Sequence, residues 1–231
     1  MGLKTAAKRY IRAVGIRLRP RKESDAITPT LRDPNHHAKF LYRIEQGPIG
    51  LLFLGDSIMD NWPRDGEWSW LKYTPDQPAN FGVNGDATEN VLWRITNGQV
   101  DGIHPKVVVL MIGTNNVGEN STEKPAWAAA GVTKIVETIH EKLPDARVLL
   151  LAVFPRGESN SRERTAIAGI NEIIRTLDDG DRTRYLDLSK IFLDASGEIP
   201  ADIMPDKLHL SVKGYDLWHA AMQPTLDEMM K

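Results

Sequence analysis

Five residues, spread from position 57 to position 209, have the types that one reaction needs. Ser57 follows an apolar run and the pair Gly55-Asp56. Gly85 and Asn115 each follow a further apolar run, and Asp206 and His209 lie close together near the C-terminal end. A serine hydroxyl is a poor nucleophile at neutral pH and needs an adjacent base. Imidazole titrates near pH ~6.5, so His209 suits that role. Asp206 could accept from the other ring nitrogen and stabilise the imidazolium. A tetrahedral intermediate needs donors aimed at its oxygen, each worth roughly 3–4 kcal/mol of barrier. The backbone N–H groups of Ser57 and Gly85 and the side-chain amide of Asn115 could supply three. Glycine at 85 suits close approach of backbone to a reacting atom. The chemistry these parts would perform is acyl transfer.

Such parts must be brought together by the elements between them. Four apolar runs stand out: Ile49 to Leu54, Lys106 to Ile112, Arg147 to Phe154 and Arg184 to Leu188, with a weaker one at Ala79 to Val83. The strongest are continuous rather than alternating, as in strands buried on both faces of a parallel sheet. Helical spacing of apolar residues appears over Thr88 to Asn97, Lys124 to Lys142, Arg162 to Leu177 and Ser211 to Met230. Pro144 closes the second of these and Ser211 is a candidate N-cap for the last. The alternation predicts an open α/β sheet with helices on both faces, whose ligands bind outside the carboxyl ends of the strands. Ser57, Gly85, Asn115, Asp206 and His209 all fall at that edge.

The chain has 231 residues, enough for one sizeable core. Residues 1–22 hold eight basic residues and no acid, leaving 21 basic against 31 acidic residues elsewhere. The division expected is a basic N-terminal arm and linker over 1–38, irregular over 20–38 where Pro20, Pro29 and Pro34 fall, and a domain over 39–231. Ala7, Ile11, Val14 and Leu18 lie near one helical face of the arm, which could rest on an anionic membrane, a partner subunit or the domain. A net charge of -2 gives no case for nucleic-acid binding. There is no cysteine, which excludes a thiol nucleophile, disulfides and Cys-ligated metal. No apolar run reaches the roughly 18 residues of a membrane span. Without a secretory stretch at the N-terminus the expected location is cytoplasmic, with secretion or a periplasmic location the alternative if a signal has been removed.

Other candidates have structural readings beside functional ones. Arg156 follows the fourth strand and could contact substrate or form a salt bridge. Trp62, Trp68 and Trp70 follow the nucleophile in a loop without clear period, so Trp62 could wall a pocket or pack in the core. Asp56 and Asp60 read as residues that fix the turn by hydrogen bonding, not as a glycosidase pair. His36 and His37 read as solvated, His104 as lying at the wrong edge of the sheet, and His140 and His219 as surface or packing residues. Trp93 reads as core. Neither G-x-G-x-x-G nor G-x-x-x-x-G-K-[ST] occurs, which argues against a nucleotide-binding module.

Gly55-Asp56-Ser57-Ile58 resembles block I of the GDSL, or SGNH, hydrolases. Gly85 matches the block II glycine, Asn115 the block III asparagine and Asp206-Lys207-Leu208-His209 the block V D-x-x-H. The strings GDSIMDNW, NFGVNGDATENVLWRI, HPKVVVLMIGTNN and DKLHLSVKGY resemble the branch holding platelet-activating-factor acetylhydrolase catalytic subunits and bacterial acetylesterases. The likeness covers roughly residues 40–230. It implies a flavodoxin-like three-layer α/β/α sandwich with a five-stranded parallel sheet, and neither metal nor organic cofactor. It also implies a Ser57–His209–Asp206 triad acting with Ser57, Gly85 and Asn115 on short, chiefly acetyl, esters, for instance of carbohydrates. Two departures stand out: Ile58 replaces leucine, and Asn116 stands where block III often has Asp. A thioesterase or lysophospholipase on the same site, and a silent flavodoxin-like scaffold, remain alternatives. The expected partner is a small ester substrate, and a homodimer is left open.

Overall fold

The computed structural model describes residues 22–118, 121 and 123–231. The amphipathic basic arm expected over 1–22 lies, but for Lys22, outside them. Two helices precede the sheet, α1 (Glu23–Ile27) and α2 (Pro34–Glu45). The sheet strands are β1 (Leu51–Gly55), β2 (Pro78–Gly82), β3 (Val107–Met111), β4 (Arg147–Leu151) and β5 (Thr183–Leu186). Three single turns follow β1: α3 (Ser57–Asp60), α4 (Trp62–Asp65) and α5 (Glu67–Leu71). The longer helices are α6 (Thr88–Thr96), α7 (Pro125–Lys142), α8 (Arg162–Ile174) and α9 (Val212–Met229).

The five strands form one all-parallel sheet in the order β2-β1-β3-β4-β5. β1, β3 and most of β4 are buried on both faces, which is why their sequences read as continuous rather than alternating apolar runs. Alternate strand residues divide into two cores. Leu52, Leu54, Phe81, Val108, Leu110, Val148 and Leu150 pack with α2, α6, α7 and α8. Leu51, Phe53, Val109, Met111, Leu149 and Leu151 pack with the turns after β1 and with α9. This is the three-layer sandwich expected from the sequence.

The chain runs from β1 outward to β2 and then crosses back past β1 to β3, so the direction of winding reverses between β1 and β3. Register aligns the carboxyl ends there: Gly55 pairs with both Gly82 and Met111. A switch point of this kind leaves a crevice beyond the strand ends, where ligands bind in such sheets.

The stretch expected to be an irregular linker is partly helical. Asp33 caps α2 by accepting from the backbone N–H groups of Asn35 and His36, both at 3.0 Å, and Pro34 opens the helix. Ala26 of α1 is buried, and its carbonyl accepts from Thr88 Oγ1 at 2.9 Å. A boundary after residue 38 therefore falls inside α2. At the other end Ser211 accepts from Gly214 N–H at 3.2 Å and caps α9.

Candidate active site

Ser57 is the first residue of α3, directly beyond β1. Asp56 caps this turn, its Oδ1 accepting from Ile58 N–H at 3.0 Å. As the first helical residue, Ser57 has an N–H with no carbonyl four residues back to receive it. Its side chain is only 4% exposed as a residue, and its Oγ lies 2.9 Å from His209 Nε2. His209 Nδ1 lies 2.7 Å from Asp206 Oδ2. Asp206 Oδ1 accepts from the backbone N–H groups of Leu208 at 3.0 Å and His209 at 2.7 Å. One carboxylate thus shapes the loop with one oxygen and holds the imidazole with the other. Partial burial pushes the Asp206 carboxyl up, but the His209 backbone N–H, the ring and its charge, and Leu208 N–H together hold it below its ordinary value. That favours an ionised partner for an imidazolium.

The other candidate donors follow the neighbouring strands β2 and β3. Gly85 sits three residues beyond Gly82, in a backbone conformation with φ +78°. Among the described residues no backbone acceptor takes its N–H. Asn115 follows β3 and spends one amide proton on Asp86 O at 2.8 Å, which leaves the second free to donate. Asn116, the departure from the usual Asp, is fully buried. It accepts from Thr88 N–H at 3.1 Å and donates to Glu123 Oε1 at 2.8 Å and Thr88 Oγ1 at 3.0 Å. An amide can do both at once and a carboxylate cannot. The residue therefore ties the Asn115 loop to the start of α6.

Arg156 lies at the same edge. Its Nη1 donates to Thr114 O and Oγ1, both at 3.3 Å, one residue before Asn115. The next residue, Gly157, donates its N–H to Lys207 O at 2.9 Å and so joins the loop after β4 to the Asp206–His209 loop.

Trp62 does not wall a pocket. It is 0% exposed, stacks on Trp218 with ring centroids 4.0 Å apart and donates from Nε1 to Ser69 Oγ at 3.0 Å. Sequence spacing hid this because the segment after Ser57 is three separate turns and has no single period. Trp93 is only half-buried and meets His37 edge-on at 4.9 Å. His36 pairs with Asp33, and His140 bonds Thr183 at 2.8 Å. His219 is buried against Tyr73 OH at 2.9 Å, so it packs. Among the described residues no three His, Asp or Glu side chains are grouped to hold a metal ion.

Asp56, read from sequence as fixing the turn, does so through Ile58 N–H, while the contacts of Tyr215 and Arg32 carry no sequence signal. Asp56 is 0% exposed and its Oδ2 has no partner. Burial pushes its carboxyl up to about 6, against the opposing pull of Ile58 N–H and of the His209 and Arg156 charges. Tyr215, readable only as a core position of α9, donates its hydroxyl to Ile58 O at 2.7 Å. Arg32 donates from Nη1 to Gly85 O, and no local pattern announces a contact between residues 53 positions apart.

Comparison with known proteins identifies the family and the fold. The GDSL-like lipase/acylhydrolase family matches residues 53–217. Over 180 residues the chain is 34% identical to platelet-activating factor acetylhydrolase IB subunit alpha1 of Bos taurus, covering 78% of this chain and 75% of that one. A GDSL-like lipase from Bacteroides thetaiotaomicron superposes with TM-score 0.70 at 16% identity, covering 83% of this chain and 97% of the other. An acetylxylan esterase from Geobacillus stearothermophilus gives TM-score 0.60 at 18% identity, covering 79% and 95%.

Proposed function

The chain belongs to the GDSL-like lipase/acylhydrolase family and is a carboxylic ester hydrolase; from that premise we propose that it cleaves short, chiefly acetyl, esters through a covalent acyl-enzyme on Ser57. The observation that carries this reading is the continuous pair of hydrogen bonds from Ser57 Oγ to His209 Nε2 and from His209 Nδ1 to Asp206.

Ser57 Oγ attacks the acyl carbon as its proton passes to His209 Nε2. The carbonyl electrons move onto oxygen, where the N–H groups of Ser57 and Gly85 and the free amide proton of Asn115 receive them. Collapse expels the alcohol, which leaves with the proton held on His209. Water then repeats the sequence on the acyl-serine, releases the acid and returns the proton to Ser57. Asp206 stays ionised and keeps the ring oriented throughout.

The acetyl preference is supported by the acetylhydrolase relative at 34% identity. Acetylated carbohydrates are the natural substrate class in this reading. A p-nitrophenyl ester series should show kcat/KM falling from acetate towards long chains, with a long-chain optimum supporting a lysophospholipase or thioesterase instead. Ser57→Ala should lose roughly 10⁴-fold or more in kcat and should not be labelled by a fluorophosphonate. Full activity in that variant would remove the nucleophile assignment.

A further inference from the structure

Arg32 lies outside the span that matches the family, in the stretch that leads into the fold. That stretch is nonetheless fastened to the catalytic edge. Thr30 N–H donates to Glu89 O at 3.0 Å, and Asn90 Nδ2 donates to Thr30 O at 3.0 Å. Two residues on, Arg32 Nη1 donates to Gly85 O. The guanidinium occupies the space where a side chain at position 85 would go: a Cβ there would sit 2.8 Å from Arg32 Cζ and 2.9 Å from Nη1.

One of the five guanidinium N–H donors serves Gly85 O. The side chain is exposed, and among the described residues no carboxylate pairs with it. Other arginines of the described region are committed: Arg94 to Asp86, Arg184 to Glu228, and Arg164 to three backbone carbonyls. Beyond residue 22 acids outnumber bases 31 to 21, so a carboxylate partner would be easy to supply. Instead a cation with spare donors stands beside a residue whose N–H is a candidate oxyanion donor. Its planar fork matches a carboxylate or phosphate oxygen pair.

We propose that Arg32 is a substrate-binding residue that receives an anionic group, a carboxylate or phosphate, carried on the alcohol half of the ester. The alcohol half is required because an acetyl group carries no charge, so the inference rests on the acetylesterase reading above. Arg32 also holds the Gly85 carbonyl, so its replacement lowers turnover generally; the charge-specific part is what separates the two roles.

The test compares 4-acetoxybenzoate with its uncharged methyl ester on the full chain and on Arg32→Gln and Arg32→Lys. The ratio of kcat/KM for the anionic over the neutral ester should fall about tenfold in Arg32→Gln, mainly through KM, and be partly restored in Arg32→Lys. The same loss on both esters, or on neither, would overturn the proposal. Calorimetric binding of 4-acetoxybenzoate to the Ser57→Ala chain, with and without Arg32→Gln, decides the point without turnover. A weaker Kd on removing Arg32 supports the subsite and an unchanged Kd overturns it. Failure of the wild-type chain to hydrolyse either ester would instead sink the esterase reading.

Discussion

Tyr215 donates its hydroxyl to the carbonyl of Ile58 at 2.7 Å, joining helix α9 to the turn that starts at Ser57. His209 lies six residues before Tyr215, and Ser57 one residue before Ile58. The bond therefore spans the same two segments as the Ser57–His209 contact, one layer deeper in the core. A nucleophile and base held by separate loops drift unless something fixes their separation, and small misplacements are costly in rate. Tyr215→Phe keeps the ring packing on Trp62 but leaves the buried Ile58 carbonyl unpaired, which costs about 1–3 kcal/mol. The expected result is a lower urea midpoint and a kcat reduced by about tenfold, with KM little changed. A variant that loses stability but keeps wild-type kcat would show that the bond serves only the fold.

Asn115 is predicted to act through its amide hydrogens. Asn115→Ala removes both the bond to Asp86 O and the free donor, and should lower kcat by roughly 10²- to 10³-fold. Asn115→Asp keeps the size, replaces donors with acceptors and should be no better than alanine. Steady-state kinetics on p-nitrophenyl acetate checks both. An aspartate variant near wild-type rate would place the oxyanion donors elsewhere.

Much of this architecture is legible in sequence, for physical reasons that differ from element to element. The strands β1, β3 and β4 are buried on both faces and must be apolar throughout, so their runs are unmistakable. Helices α6 to α9 each cover one face of the sheet and carry the corresponding spacing. The segment from Ser57 to Asp76 hides its structure because Pro63, Gly66 and Pro75 break it into single turns. Those turns are held by contacts to α9, which local propensity cannot register. α2 is hard to read although its Asp33-Pro34 start is a recognisable cap, because the prolines at 20, 29 and 34 give the stretch the composition of an irregular linker. The residue types at 57, 85, 115, 206 and 209 are readable from spacing, whereas Arg32 and Tyr215 act through long-range contacts that no local pattern encodes.

Trp62 belongs to the core that supports the site, so its loss should appear as stability before it appears as specificity. It meets Trp218, Tyr215, Phe53 and Tyr73 with ring centroids between 4.0 and 5.7 Å. Trp62→Ala should cost about 3–5 kcal/mol, enough to threaten folding. Trp62→Phe is the informative variant: it leaves a smaller void and frees Ser69 Oγ, so the midpoint should fall while the acyl-chain profile stays as in wild type. A changed chain-length preference without a change in midpoint would restore the pocket-wall role.

Asp56 should make the fold less stable as pH rises. Its carboxyl ionises at about 6 in the folded chain because it is wholly buried, against an ordinary value of 3.8. Below pH 3.8 it is neutral in folded and unfolded chains alike and has no effect. Between 3.8 and 6 the unfolded chain sheds the proton while the folded chain retains it, so the folded state binds more protons and loses ground with each step in pH. Above about pH 6 the penalty levels off at about 3 kcal/mol. Asp56→Asn keeps an oxygen to accept from Ile58 N–H and cannot ionise, so it escapes the penalty. Urea titrations of wild type and variant at pH 4, 5, 6 and 7 give the comparison, since carboxylates common to both cancel in the difference. The variant's advantage should grow by about 2 kcal/mol from pH 4 to pH 7, since part of the full penalty is already present at pH 4. A difference that stays flat over that range would mean that Asp56 titrates as an ordinary aspartate and that its buried oxygen is better satisfied than its surroundings indicate.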